Sequence, residues 1–254
     1  MSQKAFKILA YTPLIYTLIA FYTPLLLMLV ESVSGKRGAA VYTDVLTNIN
    51  YLKVVSYSGY IALLTTFITF LIALPIAYYL AFIASERLKL NLLIAFNVPL
   101  LVNLLLRTYA LLNILMMLNI AGTFQGLMIG MIYQYFPLML LPIYSSFERI
   151  NHALIEAAET LGARPKEQFL KVILPLGLPG IVSGATLVSL TAFTDFVTPA
   201  MLGGIHGYTL GYLIWDLFLK YRNWETGSAL AFIITLVAVA VSTIYTKWGV
   251  KIEA

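Results

Sequence analysis

Runs free of Asp, Glu, Lys and Arg set the layout of this chain. Five stand out, at residues 8–30, 54–85, 108–147, 172–194 and 226–246. About 20 apolar residues at 1.5 Å rise cross a hydrocarbon core of roughly 30 Å, so four of these runs read as one crossing each. The third is too long. From Leu90 to Phe147 the only charge is Arg107, and Asn119-Ile120-Ala121-Gly122-Thr123 supplies turn chemistry inside the stretch. Two helices joined by a tight hairpin fit it, which predicts six spans near 8–30, 57–84, 92–118, 124–147, 178–202 and 229–248. The first apolar core exceeds 20 residues, longer than a secretory signal core, and reads as a retained helix. The pattern predicts an all-α integral membrane protein, with a single transmembrane domain over 1–254.

Composition agrees: 61% hydrophobic against 11% charged, with mean hydropathy +0.89, is far from soluble usage. Cysteine is absent, which excludes a disulfide scaffold, a thiolate metal site and thiol catalysis. The 16 basic and 11 acidic residues leave +5, an excess that in a membrane chain records orientation and not a nucleic-acid partner. With both termini inside, the cytoplasmic basic set is Lys4, Lys7, Arg87, Lys89, Arg149, Arg164, Lys166, Lys171, Lys247 and Lys251. The external set is Lys36, Arg37, Lys53, Lys220 and Arg222. Ten against five predicts N and C termini in the cytoplasm.

Three loops are substantial: external 31–56, cytoplasmic 148–171 and external 203–228. In the last, Leu210, Ile214, Leu217, Phe218 and Tyr221 recur at helical spacing beside Trp215 and Trp224, predicting an amphipathic helix that caps a pore or anchors at the interface. The cytoplasmic loop carries helix punctuation. Asn151 suits an N-cap, Leu154, Ala157, Ala158 and Leu161 form an apolar face, and His152, Glu156, Glu159 and Arg164 a polar one. Gly162 suits a left-handed C-terminal cap and Pro165 forbids continuation. A helix this short is marginal in water, so the span ends or a partner protein must hold it. On periodicity alone, a charged connector that happens to be helical remains the alternative.

Glu156-Ala157-Ala158, three residues, Gly162, nine residues, then Val172-Ile173-Leu174-Pro175 resembles the EAA motif of ABC importer permeases, with Val172 where the pattern has Ile. It sits between the fourth and fifth of six spans, as in that family. Leu106-Arg107-Thr108-Tyr109, Leu140-Leu141-Pro142-Ile143-Tyr144-Ser145-Ser146, the run from Phe196 to Gly204, and Asn223-Trp224-Glu225-Thr226-Gly227-Ser228-Ala229 resemble the spermidine/putrescine permease branch. The resemblance implies a type I ABC importer permease in the cell inner membrane, importing polyamines. The alternative substrate is another small solute such as ferric iron, since the Gly-Gly run ending span five is shared with such permeases. It further implies that the short cytoplasmic helix docks on an ATP-hydrolysing subunit through Glu156, Ala157, Ala158 and Gly162, with Leu174-Pro175 ending the loop. The implied partners are a dimer of ATP-binding subunits, a second permease in a heterodimer and a soluble substrate-binding protein, with membrane lipid around the spans. No phosphate-binding Gly-x4-Gly-Lys-Ser/Thr occurs, so the ATPase is expected to be a separate chain, and neither cofactor nor metal is expected.

An intramembrane enzyme is the rival class, but no Gly-x-Ser-x-Gly elbow or His-Glu-x-x-His site is present, and His152 and His206 fall on opposite sides of the expected topology. A passive channel is the second rival, and the docking motif separates it from an importer. Two charges lie within spans. At 1.5 Å per residue Arg107 and Asp195 sit roughly 23 and 26 Å from the cytoplasmic ends of straight helices, at a shared level near the outer side. Thr191, Asp195 and Thr198 would then make one face of span five. An unpaired charge there costs on the order of 3 kcal/mol, so partnership between the two, or exposure to a wet pathway, is expected.

Overall fold

The computed structural model describes the backbone of residues 3–253 and the side chains of 11–243. Lys4, Lys7, Lys247 and Lys251, four of the ten basic residues counted inside, have side chains outside that range. The described residues form helices and turns throughout. In order they are α1 (Gln3–Ser34), α2 (Ala40–Thr47), α3 (Ile49–Phe82), α4 (Glu86–Leu101), α5 (Leu104–Met117), α6 (Phe124–Glu148), α7 (His152–Thr160), α8 (Pro165–Gln168), α9 (Leu174–Thr194), α10 (Val197–Leu202), α11 (Leu210–Trp215) and α12 (Trp224–Glu253). Wide π-type turns at Phe169–Ile173 and Asp216–Lys220 extend α8 and α11. Five helical stretches are long and apolar enough to cross a membrane, and the α4–α5 pair makes a sixth if it counts as one bent span.

The chain divides into two compact units. The first comprises Met1–Leu52 and Ile214–Val239. The stretch expected as an external loop from residue 31 is largely helical, because α1 runs to Ser34 and α2 and α3 follow with only short turns. Here Arg37 binds the first turn of α12: its backbone N–H reaches Glu225 Oε1 at 3.1 Å, its Nε and Nη2 reach Oε2 at 3.3 Å, and Nη2 reaches Thr226 Oγ1 at 2.6 Å. Bidentate guanidinium pairing fixes direction as well as distance.

The second unit comprises Lys53–Leu213 and Ala240–Ala254. Its core is built from residues four apart, the rows that lie along one stripe of a helix. On α3 the buried stripe is Ile61, Thr65, Thr69, Ala73, Ala77 and Ala81, and on α6 it is Leu127, Met131, Tyr135, Met139, Ile143 and Phe147. α9 packs on α6 through small residues: a Cβ on Gly177 would strike the Phe147 ring, and one on Gly180 would strike the Pro142 carbonyl and Ser146. At Gly184 it would stand 3.0 Å from the Met139 carbonyl. In a membrane, helices gain contact energy by such close backbone approach, since lipid tails remove any hydrophobic drive between them.

Two predicted spans are interrupted. The stretch 92–118 is not one straight helix: α4 and α5 meet at 102°. Pro99 has no N–H for the last turn of α4, Val102 is extended, and the Asn103 side chain accepts from Leu105 N at 2.9 Å to start α5. The stretch 178–202 also breaks. α9 ends at Thr194, Asp195 is extended at ψ 133°, and α10 is a separate short helix. The α5–α6 hairpin forms as expected, with Asn119 and Gly122 at positive φ and Thr123 capping α6 through Gly126 N at 3.1 Å.

Candidate functional site

The loop after α6 forms a short helix with the predicted ends. The Asn151 side chain accepts from Ala153 N at 3.0 Å, so α7 starts where the sequence places its cap. At the other end Gly162 takes φ +82°, its N–H reaching Glu159 O at 2.8 Å and that of Ala163 reaching Ala158 O at 3.0 Å. Only a residue tolerant of left-handed backbone closes the helix this way. Pro165 then opens α8, and Glu167 folds back to accept from Arg164 N at 3.1 Å while pairing with Lys171 at 3.1 Å. The backbone N–H first, and then the ammonium, lower the Glu167 pKa below the usual glutamate range.

One side chain ties α7 to the chain's own core. No residue of α7 is fully buried, and Ile155 is half-buried and packs against the core. Leu154 is 49% exposed and Leu161 89%, and Ala157 and Glu156 are exposed beside them. Most of the apolar stripe therefore faces away from the chain's own core, because Ile155, one position off that stripe, supplies the anchor. His152 lies edge-on to Phe82 at 5.7 Å. Leu174-Pro175 opens α9, with Pro175 in its first turn where the missing N–H costs little, and α8 and the π-type turn lead into it from Pro165 without a break. At the level where α6 ends, Lys89 pairs with Glu86 at 2.9 Å and Glu148 at 3.0 Å, tying the start of α4 to α6.

The second cluster lies at the interrupted spans. Asp195 Oδ1 accepts from Val197 N at 2.9 Å and Thr198 N at 3.3 Å, capping α10, while Oδ2 is buried without a hydrogen-bond partner. Thr198 is 1% exposed and its hydroxyl is also unpartnered. Arg107 does not pair with Asp195 among the described residues. Its Nη1 donates to the Pro99 carbonyl at 2.7 Å, across the α4–α5 bend, and its Nε is buried and unpartnered. The straight-helix depth for Arg107 fails with that bend. Arg107 and Asp195 nevertheless share a neighbour in Tyr135, whose hydroxyl donates to Thr191 O at 3.4 Å. Thr191 turns its own hydroxyl to Leu187 O at 2.6 Å and is exposed, so Thr191, Asp195 and Thr198 do not form one helical face. Tyr135 was absent from the sequence-predicted set, since it falls inside an apolar run with nothing polar at its spacing. Among the described residues no group of three or more His, Asp or Glu gathers as a metal site.

Known proteins carry the same architecture. Over its full length the chain resembles the crystal structure of a bacterial ABC transporter involved in the import of the acidic polysaccharide alginate (TM-score 0.75, 14% identity, all of both chains). It also resembles the MetNI methionine ABC transporter in inward-facing form (TM-score 0.64, 17% identity, 79% of this chain and 95% of the other). In sequence it is 32% identical to the spermidine/putrescine transport system permease protein PotB of Escherichia coli K12, over 74% of each chain. It is 31% identical to PotB of Haemophilus influenzae, over 91% of this chain and 90% of that one. Residues 62–251 match the model of the binding-protein-dependent transport system inner membrane component, which spans α3 to α12 and so takes in both α7 and the interrupted spans. The chain belongs to this family of inner-membrane permease subunits of ABC importers.

Proposed function

We propose that this permease imports polyamines, passing them along a pathway beside Asp195, Tyr135 and Thr198, and that α7 is its dock for the ATPase. The observation that carries the dock is the outward apolar stripe of Leu154, Ala157 and Leu161 on a helix fixed at both ends by Asn151 and Gly162. A surface of this kind is an incomplete interface, and Glu156 beside it offers a carboxylate to a basic partner. The partners are a dimer of ATP-binding subunits, a second permease and a soluble substrate-binding protein, with both termini of this single 1–254 domain in the cytoplasm. The polyamine assignment is supported by the PotB relatives and by the chemistry of the cluster. A buried carboxylate beside a phenol is chemistry that can hold an organic ammonium group.

The test is uptake of labelled spermidine and putrescine by the reconstituted complex, together with ATP hydrolysis in response to binding protein. Asp195→Asn keeps the oxygen that caps α10 and removes only the charge. Uptake should fall about tenfold, the scale of one charge-assisted contact, with assembly intact. Arg107→Ala should instead reduce the folded yield, because the Pro99 carbonyl at the bend loses its guanidinium donor. Unchanged uptake by Asp195→Asn removes that residue from the pathway. Absence of polyamine uptake by the intact complex favours another small solute such as ferric iron, and uptake without ATP hydrolysis favours a passive channel.

A further inference from the structure

We propose that the cavity between the C-terminal end of α1 and the start of α12 seats an aminophospholipid, with its headgroup ammonium against Glu31, Phe218 and Trp224. The cavity has a volume of ≈ 780 Å³ and lies wholly within the first unit. Leu27, Met28 and Val30 line it with Glu31, as do the Phe218 and Trp224 rings, which meet edge-on at 5.3 Å. Glu31 is the only charged residue in the lining. It forms no ion pair among the described residues, whereas Glu225 nearby is taken by Arg37. A free carboxylate beside two aromatic rings is the chemistry that receives an organic ammonium.

The placement selects a lipid over a free polyvalent amine. Glu31 stands in the last turn of the apolar stretch Tyr11–Ser34, where a span meets the headgroup layer, and Trp224 is the residue type that settles at that level. The rest of the lining is mostly apolar, which suits the aliphatic chain of a lipid with one ammonium. A polyamine would leave its further charges against Leu27 and Val30 with a single carboxylate to share. The walls are held in place by the Arg37 bonds to Glu225 and Thr226, and by Gly227, where any Cβ would meet the Phe218 ring at 3.1 Å.

The experiment is native mass spectrometry of the assembled transporter released from nanodiscs of phosphatidylethanolamine or phosphatidylglycerol. Phosphatidylethanolamine should be retained about fivefold over phosphatidylglycerol, the scale of an exposed ammonium contact. Glu31→Gln, which keeps the shape, should erase that preference, and Trp224→Ala should reduce it. Equal retention of the two lipids by the unaltered complex would overturn the proposal, as would a preference that survives Glu31→Gln. Displacement of the retained lipid by free spermidine would also overturn it, reassigning the carboxylate to a soluble amine.

Discussion

Gly162 separates two roles that a single glycine can play, and two small substitutions tell them apart. Its backbone lies at φ +82°, and a Cβ built there meets no atom within 4 Å. Alanine therefore brings strain and no collision inside this chain. Left-handed backbone costs a residue with a Cβ about 1–2 kcal/mol, and asparagine much less, because its short amide bonds locally. That cost falls on a nine-residue helix that is marginal by itself, and 1–2 kcal/mol changes the population of the closed end roughly 5- to 30-fold. If the glycine serves only the turn, Gly162→Asn should outperform Gly162→Ala. If the bare backbone is a contact surface for the ATPase, the larger asparagine should be the worse of the two, although it fits the turn better. The assay is co-purification of the ATP-binding subunit, with binding-protein-stimulated hydrolysis measured on the same preparations. The docking role predicts that order, Ala above Asn, with both variants inserted normally. Asn equal to wild type would refute it and leave Gly162 as a turn residue.

Cysteines introduced at Lys166 and Lys220 test orientation against a background with no native thiol: the first should be shielded from an impermeant external reagent in intact cells and the second labelled, and labelling at Lys166 would invert the arrangement. Gly180→Ala places a methyl group against the Pro142 carbonyl, which is backbone and cannot rotate away, so thermal unfolding in detergent should show a loss of about 1–3 kcal/mol; an unchanged melting temperature would show that the α6–α9 seam opens freely. Glu167 titrates below its unfolded value, so what it adds to α8 is present above the ordinary glutamate range and disappears as pH falls through the lowered value. Hydrogen exchange at the Arg164 amide, protected at neutral pH, should accelerate there once intrinsic rates are corrected for, and Glu167→Gln should flatten that dependence.

The elements that the residues declared locally are the ones the structure returns. Asn151 and Gly162 bound α7 because an N-cap oxygen and a left-handed closing residue are single-residue devices, visible without any knowledge of the fold. The Asn119–Thr123 hairpin was legible for the same reason. The breaks at Val102 and Asp195 were not. Counting uncharged residues measures length and says nothing of direction, and Asp195 caps α10 within a run that reads as one continuous apolar helix. Pro99 and Asn103 were the available signal, a missing donor followed by a capping residue four positions on. Arg107 looked like half of an ion pair because charge alone is visible in a sequence. Its use as a donor to a carbonyl across the bend depends on the bend itself. What holds α7 was left open by the sequence, because the stripe of Leu154, Ala157 and Leu161 is the more regular one, while Ile155, one position off it, packs against the core.

The glycine seam between α6 and α9 bears on how force travels. Where Gly177, Gly180 and Gly184 meet α6, side chain and backbone touch with no compressible layer between them, so the two helices mesh like gears without backlash. α7 is carried between them, at the end of α6 and ahead of the α8–α9 helix, and a push on it reaches both arms at once. Motion that cannot be absorbed in the seam must be taken up where the backbone is already extended. Val102 and Asp195 are such points, each followed by a short helix with its own cap. In this geometry the seam is the stiff part and the two extended residues are its joints.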